Sequence, residues 1–228
     1  MLISLFHQIP HSFTYFFIRP FAIGTISFAA SGCITAGYAS MDLLGCTIVG
    51  TITSIGGGTV RDLLIGNAPV FWASEVEYII LCLATTSITF FTWNELEKQK
   101  IVEEDGSLLW WTDTIGVGAF CVIGAQNGIR KGLNPLICII CGMFTATFGG
   151  VVRDLLCQRK PRILHSNAEI YATTALLGAG TYVFSKYIGL NPFFRIFNGV
   201  ATAMGARYYA STNEIKLPLA PWYAAKKG

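Results

Sequence analysis

"SIGGGTVRDLLIG", Ser54 to Gly66, and "TFGGVVRDLLCQ", Thr147 to Gln158, carry the same order of residues: adjacent glycines, an Arg-Asp pair, then leucines. Arg61 and Arg153 stand 92 residues apart (153 − 61), and sliding the chain on itself by 92 needs no gap from Gly24 to Glu77. Gly24/Gly116, Phe28/Phe120, Gly32/Gly124, Gly50/Gly142, Thr53/Thr145, Gly57/Gly149, Gly58/Gly150, Arg61/Arg153, Asp62/Asp154, Pro69/Pro161 and Glu77/Glu169 all coincide. The chain contains an internal duplication.

Composition sets the solvent in which that duplication folds. Of 228 residues 53% are hydrophobic and only 13% charged, about half the usual charged share of a soluble domain. A water-facing surface is hard to build from such a chain, which reads as an all-α integral membrane protein. Apolar stretches near the ~20 residues needed to cross a bilayer fall at 20–39, 42–65, 73–93, 108–128, 134–156, 168–188 and 192–210. Asn94 to Ser107 is the one long polar stretch and reads as a solvated loop. Nothing points to a soluble catalytic domain, so no enzyme activity, cofactor or nucleic-acid partner is expected. The opening "MLISLFHQIPHSF" has neither a charged leader nor a small-residue cleavage site, so the first span is expected to act as its own insertion signal.

The duplicated unit holds three spans, and an odd number makes the second copy enter the membrane from the opposite side. The expected architecture is therefore seven transmembrane helices: a first three-helix repeat at 20–93, an inverted second at 108–188, a seventh helix at 192–212 and a tail at 213–228. Transport proteins use inverted repeats to build a site at the bilayer midplane. In this arrangement six Lys and Arg lie on the side of the N-terminus and ten on the other, which predicts a cytoplasmic C-terminus and an external N-terminus.

Consecutive glycines cost about 1 kcal/mol each in a helix interior. The second span is thus expected to bend or unwind at Gly56, Gly57 and Gly58, and the fifth at Gly149 and Gly150. Unpaired backbone is tolerated at membrane depth only inside protein or along a water-filled cavity, so two broken helices imply a polar passage between the repeats. Arg61, Asp62, Arg153 and Asp154 follow the breaks closely; ionisable groups at such depth face the bundle interior and pair, as gates, as fasteners of the broken ends, or as charges along an ion pathway. The alternative is that the glycines permit close helix packing and each Arg-Asp is an interfacial anchor.

Other candidates are weaker. Cys138 and Cys141 form a CxxC without His or acidic partners, and the three histidines are dispersed, so no metal site is expected. Asp42 and Asp113, near the predicted starts of spans two and four, read as helix caps or as attractors of cations at a vestibule. Tyr38, Tyr78, Tyr171 and Trp72, Trp93, Trp110 and Trp111 read as interfacial belt residues. "GGGTVRDLLIG" is also similar to the signature of tRNA nucleotidyltransferases and poly(A) polymerases, but the "NAPVFW" that follows lacks the carboxylate pair those enzymes need for magnesium. No Gly-Lys-Ser/Thr follows either, which excludes a Walker phosphate loop.

Together, "GGGTVRDLLIGNAP", "FGGVVRDLLCQRKP", "TDTIGVGAFCVIGA" (Thr112 to Ala125) and "AEIYATTALLGA" (Ala168 to Ala179) resemble the bacterial branch of the trimeric intracellular cation (TRIC) channel family, also described as a glycine transporter domain. The resemblance spans roughly 20–212. It implies a multi-pass protein of a bacterial-type plasma (inner) membrane, assembled as a homotrimer with one pore per protomer and permeable to K+ with some Na+. Gly56 to Gly58 and Gly149 to Gly150 would line that pore. The second copy departs from the first in reading Phe148-Gly149-Gly150, and the Phe148 ring is expected to narrow the passage. Arg159, Lys160 and Arg162 either bind anionic lipid headgroups or serve as a positive-inside anchor. Two functions stay open: a passive cation channel, and a secondary transporter of a small zwitterion such as glycine, whose ammonium would meet Asp62 or Asp154.

Overall fold

The structure, a computed structural model, describes residues 11–98, 107–161, 170–215 and 217. Arg162, Glu169, residues 99–106 of the polar loop and nearly all of the tail lie outside them. Among the described residues every regular element is helical: α1 (His11–Tyr38), α2 (Leu43–Leu64), α3 (Phe71–Ser74), α4 (Glu77–Lys98), α5 (Ser107–Arg130), α6 (Pro135–Leu156), α7 (Tyr171–Tyr187) and α8 (Pro192–Thr212). Seven are long, from 17 to 28 residues, and α3 is a single turn of 4.

Local chemistry starts the helices where the sequence changes character. Asp42 caps α2 by accepting the Gly45 amide at 2.8 Å, so of its two readings the cap is the one seen. Asn134 and Asn191 cap α6 and α8, each followed by a proline at the first helical position, where the missing N–H costs nothing. The C-terminal ends of α2 and α6 repeat one closure. Asn67 donates to the Asp62 carbonyl and Arg159 to that of Asp154, both at 2.7 Å. The left-handed residue this needs is Gly66 (φ 66°) in one copy and Gln158 (φ 55°) in the other.

Helices α1, α2 and α4 pack on one another, as do α5, α6 and α7; α1 meets α5, α2 meets α6, and α8 rests on α7 and α5. The contacts at the seam run in opposite directions. Gly57 approaches Thr145 while Gly149 approaches Thr53, and Gly24 lies against Phe120 while Gly116 lies against Phe28. Each pair of corresponding helices therefore crosses antiparallel, and the Phe28 and Phe120 rings meet at 5.1 Å on the seam.

The interior is rich in small residues around the seam rings of Phe28 and Phe120. Ala29, Cys33, Ala36, Thr25, Ser31, Thr53, Thr86, Thr145, Thr174, Ala175 and Ala179 are buried, whereas Leu44, Leu63, Leu64, Ile80, Leu83, Ile88, Phe91 and Phe184 are exposed. This suits lipid, where close backbone approach rather than burial of large apolar side chains holds helices together. Several buried hydroxyls bond within their own helices, Thr53 donating to Val49, Thr86 to Cys82 and Thr145 to Cys141, while Ser54 donates across to the Thr25 carbonyl of α1. The seven cysteines are buried and free.

Among the described residues, Leu43–Leu64, Glu77–Lys98 and Pro135–Leu156 are by length and composition apolar enough to cross a membrane, and Ala22–Tyr38 is a shorter apolar helix. Helix α7 is 17 residues long, and the charged Asp113 of α5 and Arg207 of α8 are turned into the bundle, where they pair.

Candidate functional site: two buried charge clusters at a helix crossing

The glycine runs do not break their helices. Helix α2 is continuous through Gly56, Gly57 and Gly58, and α6 through Gly149 and Gly150, so of the bend or unwinding expected at each run, the unwound segment is not found. Their physical role is proximity. A Cβ at Gly57 would collide with the Thr145 carbonyl and one at Gly149 with the Thr53 carbonyl, while at Gly58 it would meet the Phe71 ring. Gly56 and Gly150 are looser, with nearest neighbours at 3.6 and 3.8 Å. Intact backbone hydrogen bonding plus close packing thus outweighs the propensity cost of glycine. Phe148 is half-buried, its ring edge-on to Phe144 at 4.6 Å.

Each Arg-Asp pair occupies the last turn of its helix and is buried: Arg61 3%, Asp62 1%, Arg153 4% and Asp154 4% exposed. An arginine there complements the helix dipole and an aspartate opposes it, so the carboxylate depends on its cation. Arg61 holds Asp62 through Nε and Nη2, at 2.9 and 2.7 Å to Oδ1. Asp62 Oδ2 accepts the Phe71 backbone N–H at 2.9 Å, and Arg61 Nη1 donates to Thr145 Oγ1 at 3.4 Å. The short α3, whose Ala73 and Ser74 fall in the predicted third span, thus closes this end, with the Phe71 ring 5.7 Å from the Arg61 guanidinium.

The second pair repeats the motif and adds to it. Arg153 reaches Asp154 Oδ1 through Nε at 2.9 Å and Nη2 at 2.8 Å. Its Nη1 donates to Ser31 Oγ at 2.8 Å and lies 3.7 Å from Asp113 Oδ1. Asp113 Oδ2 accepts from Arg207 Nη1 at 2.7 Å, and Tyr171 donates to Asp113 Oδ1 at 3.4 Å. Asp113 is therefore no cap: it lies inside α5, 2% exposed. Tyr171 is likewise no belt residue, being 5% exposed with its ring 4.6 Å from the Arg207 guanidinium.

Because α2 and α6 cross antiparallel, the two clusters sit at opposite ends of the crossing. Sequence reasoning brought Arg61, Asp62, Arg153 and Asp154 into view but missed Asp113, Arg207, Ser31, Thr145 and Phe71 as their partners. The available signal was that an ionisable residue inside an apolar span needs a partner, which applies to Asp113 and Arg207 equally. Of the remaining candidates, Arg159 is half-buried and Lys160 exposed just beyond α6.

A small-residue helical bundle with a lipid-suited exterior, built on an antiparallel crossing with a buried ion pair at each end, defines an integral membrane protein. The family model described as "Glycine transporter" matches residues 20–94 and 110–187. A UPF0126 membrane protein of Vibrio cholerae is 32% identical over 199 residues, covering 86% of this chain and 79% of that one. The UPF0126 inner membrane protein YadS of Escherichia coli is 31% identical over 169 residues, 72% of this chain and 76% of its own. Among solved structures, the TRIC trimeric intracellular cation channel orthologue from Rhodobacter sphaeroides is similar with a TM-score of 0.78 and 35% identity, covering 87% of this chain and 98% of that one. The chain belongs to the TRIC channel family.

Proposed function

We propose that the protein is a membrane cation channel that passes monovalent cations, K+ and some Na+, along the α2–α6 crossing of each protomer. The observation that carries this reading is the pair of charge clusters, each neutral by itself and nine-tenths buried, at opposite ends of the antiparallel crossing. Buried ionisable groups in membrane helices mark ion pathways. Likeness to a solved cation channel at 35% identity supports the same reading. In it Gly56, Gly57, Gly58, Gly149 and Gly150 set the spacing of the two lining helices, Arg61, Asp62, Arg153 and Asp154 are the charges a cation passes, and Phe148 narrows the route.

Helix continuity weighs between the two functions left open by the sequence. A transporter of glycine would seat the substrate carboxylate on the N-terminal amides of a half-helix, and α2 and α6 have no interior ends. The name of the family model keeps glycine as the competing substrate. Proteoliposomes loaded with potassium decide between them: the channel reading predicts potassium efflux down its gradient and no saturable glycine uptake. Saturable uptake without efflux would overturn it.

The assembly proposed is a homotrimer in a bacterial-type inner membrane, N-terminus external and C-terminus cytoplasmic. Setting aside the buried Arg61, Arg153 and Arg207, the Lys and Arg count still favours a cytoplasmic C-terminus, eight to five. Arg159, Lys160 and Arg162 then face anionic headgroups.

A further inference from the structure

Asp113 and Arg207 stand outside the duplication. The position corresponding to Asp113 is Phe21, and α8, which carries Arg207, has no copy in the first repeat. Both are buried, 2% and 1% exposed. Asp113 is shared unequally, with Arg207 Nη1 at 2.7 Å and Arg153 Nη1 at 3.7 Å. The Arg207 guanidinium is fixed over the rings of Tyr171 and Trp110, at 4.6 and 5.4 Å. Arg153, Asp154, Asp113 and Arg207 therefore form a buried four-charge cluster of zero net charge, whereas the buried pair at the other end, Arg61 with Asp62, is neutral with two charges.

We infer that Arg207 is the counter-charge that sets the electrostatics of the Arg153 end of the cation path: by holding Asp113 it keeps a second carboxylate from acting on cations there. Arg207 is a positioning residue, acting through Asp113. The inference rests on the channel reading. Without Arg207 the cluster becomes net negative, with Arg153 the one cation of the cluster still facing Asp113; without Asp113 it becomes net positive. A buried charge is little screened, and the Arg61 end is unchanged in both cases. The two neutralisations must therefore unbalance the path at one end, in opposite senses.

Current ratio at equal and opposite voltages reads that imbalance, measured in patches from giant spheroplasts, where insertion is uniform. Arg207→Met is expected to favour cation entry from the Arg153 side, and Asp113→Asn to disfavour it. Each shift is about twofold or more and, the charges being buried, changes little as KCl is raised. Arg207→Lys and the Asp113→Asn/Arg207→Met double variant keep the wild-type ratio. Loss of packing alone would not give opposite signs. Singles that shift the ratio the same way, or leave it unchanged, overturn the inference while the channel reading stands. A silent wild type overturns both. Should Arg207→Met not accumulate, Asp113→Asn against the double variant decides: the single must rectify and the double must not, and equal ratios overturn the inference.

Discussion

Gly57→Ala and Gly149→Ala are each expected to lower the thermal midpoint of the purified protein by about 10 °C, while Gly56→Ala and Gly150→Ala leave it unchanged or slightly raised. The four residues sit in two short runs, so propensity alone predicts the same small gain at all of them, about 1 kcal/mol. Packing separates them. The Cβ added at Gly57 or Gly149 lands on the carbonyl of the facing helix, and because each contact is backbone against backbone no side chain can turn aside. Overpacking of this kind costs about 3 kcal/mol, or about 10 °C in a chain of this size. At Gly56 and Gly150 the added methyl meets its neighbours at ordinary contact distance. Equal midpoints for all four would mean that α2 and α6 do not touch where the structure places them.

Asp62→Asn is expected to be worse tolerated than removal of the whole pair. It leaves the Arg61 guanidinium, 3% exposed, with a neutral amide and a 3.4 Å contact to Thr145 Oγ1. Breaking a buried pair by removing one partner costs about 3–5 kcal/mol, whereas replacing both by apolar residues of similar volume is often neutral. Arg61→Met/Asp62→Leu should therefore fold with a midpoint nearer wild type, read by scanning fluorimetry of detergent-solubilised protein. The same double variant removes the charges from one end of the cation path and so should lower potassium conductance despite its stability. A double variant less stable than Asp62→Asn would show that the Asp62 Oδ2 bond to the Phe71 amide outweighs the ion pair.

Much of this fold could be read before any coordinates. The predicted spans 42–65, 134–156 and 192–210 match α2, α6 and α8 to within two residues at each end, because Asp42, Asn134-Pro135 and Asn191-Pro192 punctuate the apolar pattern. The 92-residue offset paired Gly57 with Gly149 and Thr53 with Thr145, and the seam contacts Gly57/Thr145 and Gly149/Thr53 are that one pair of positions read from the two copies, although the offset did not say that they touch. What stayed hidden has physical causes. Glycine runs have two uses in a helix, breaking it and letting another backbone close in, and only the facing carbonyls of Thr53 and Thr145 tell them apart. The Asp113–Arg207 pair joins helices 94 residues apart in sequence and lies off the repeat, so comparing the chain with itself could not find it. Helix α3 is too short for periodicity to register, yet its Phe71 contacts both Arg61 and Asp62.

The reversal potential of single-channel currents in a planar bilayer, recorded from the purified protein under a potassium chloride gradient, tests the central claim most directly. Discrete steps reversing near the potassium equilibrium potential, with conductance reduced in Arg61→Met/Asp62→Leu, are the predicted result. Currents reversing near the chloride potential, or a potassium conductance indifferent to that substitution, would contradict a cation path along the α2–α6 crossing.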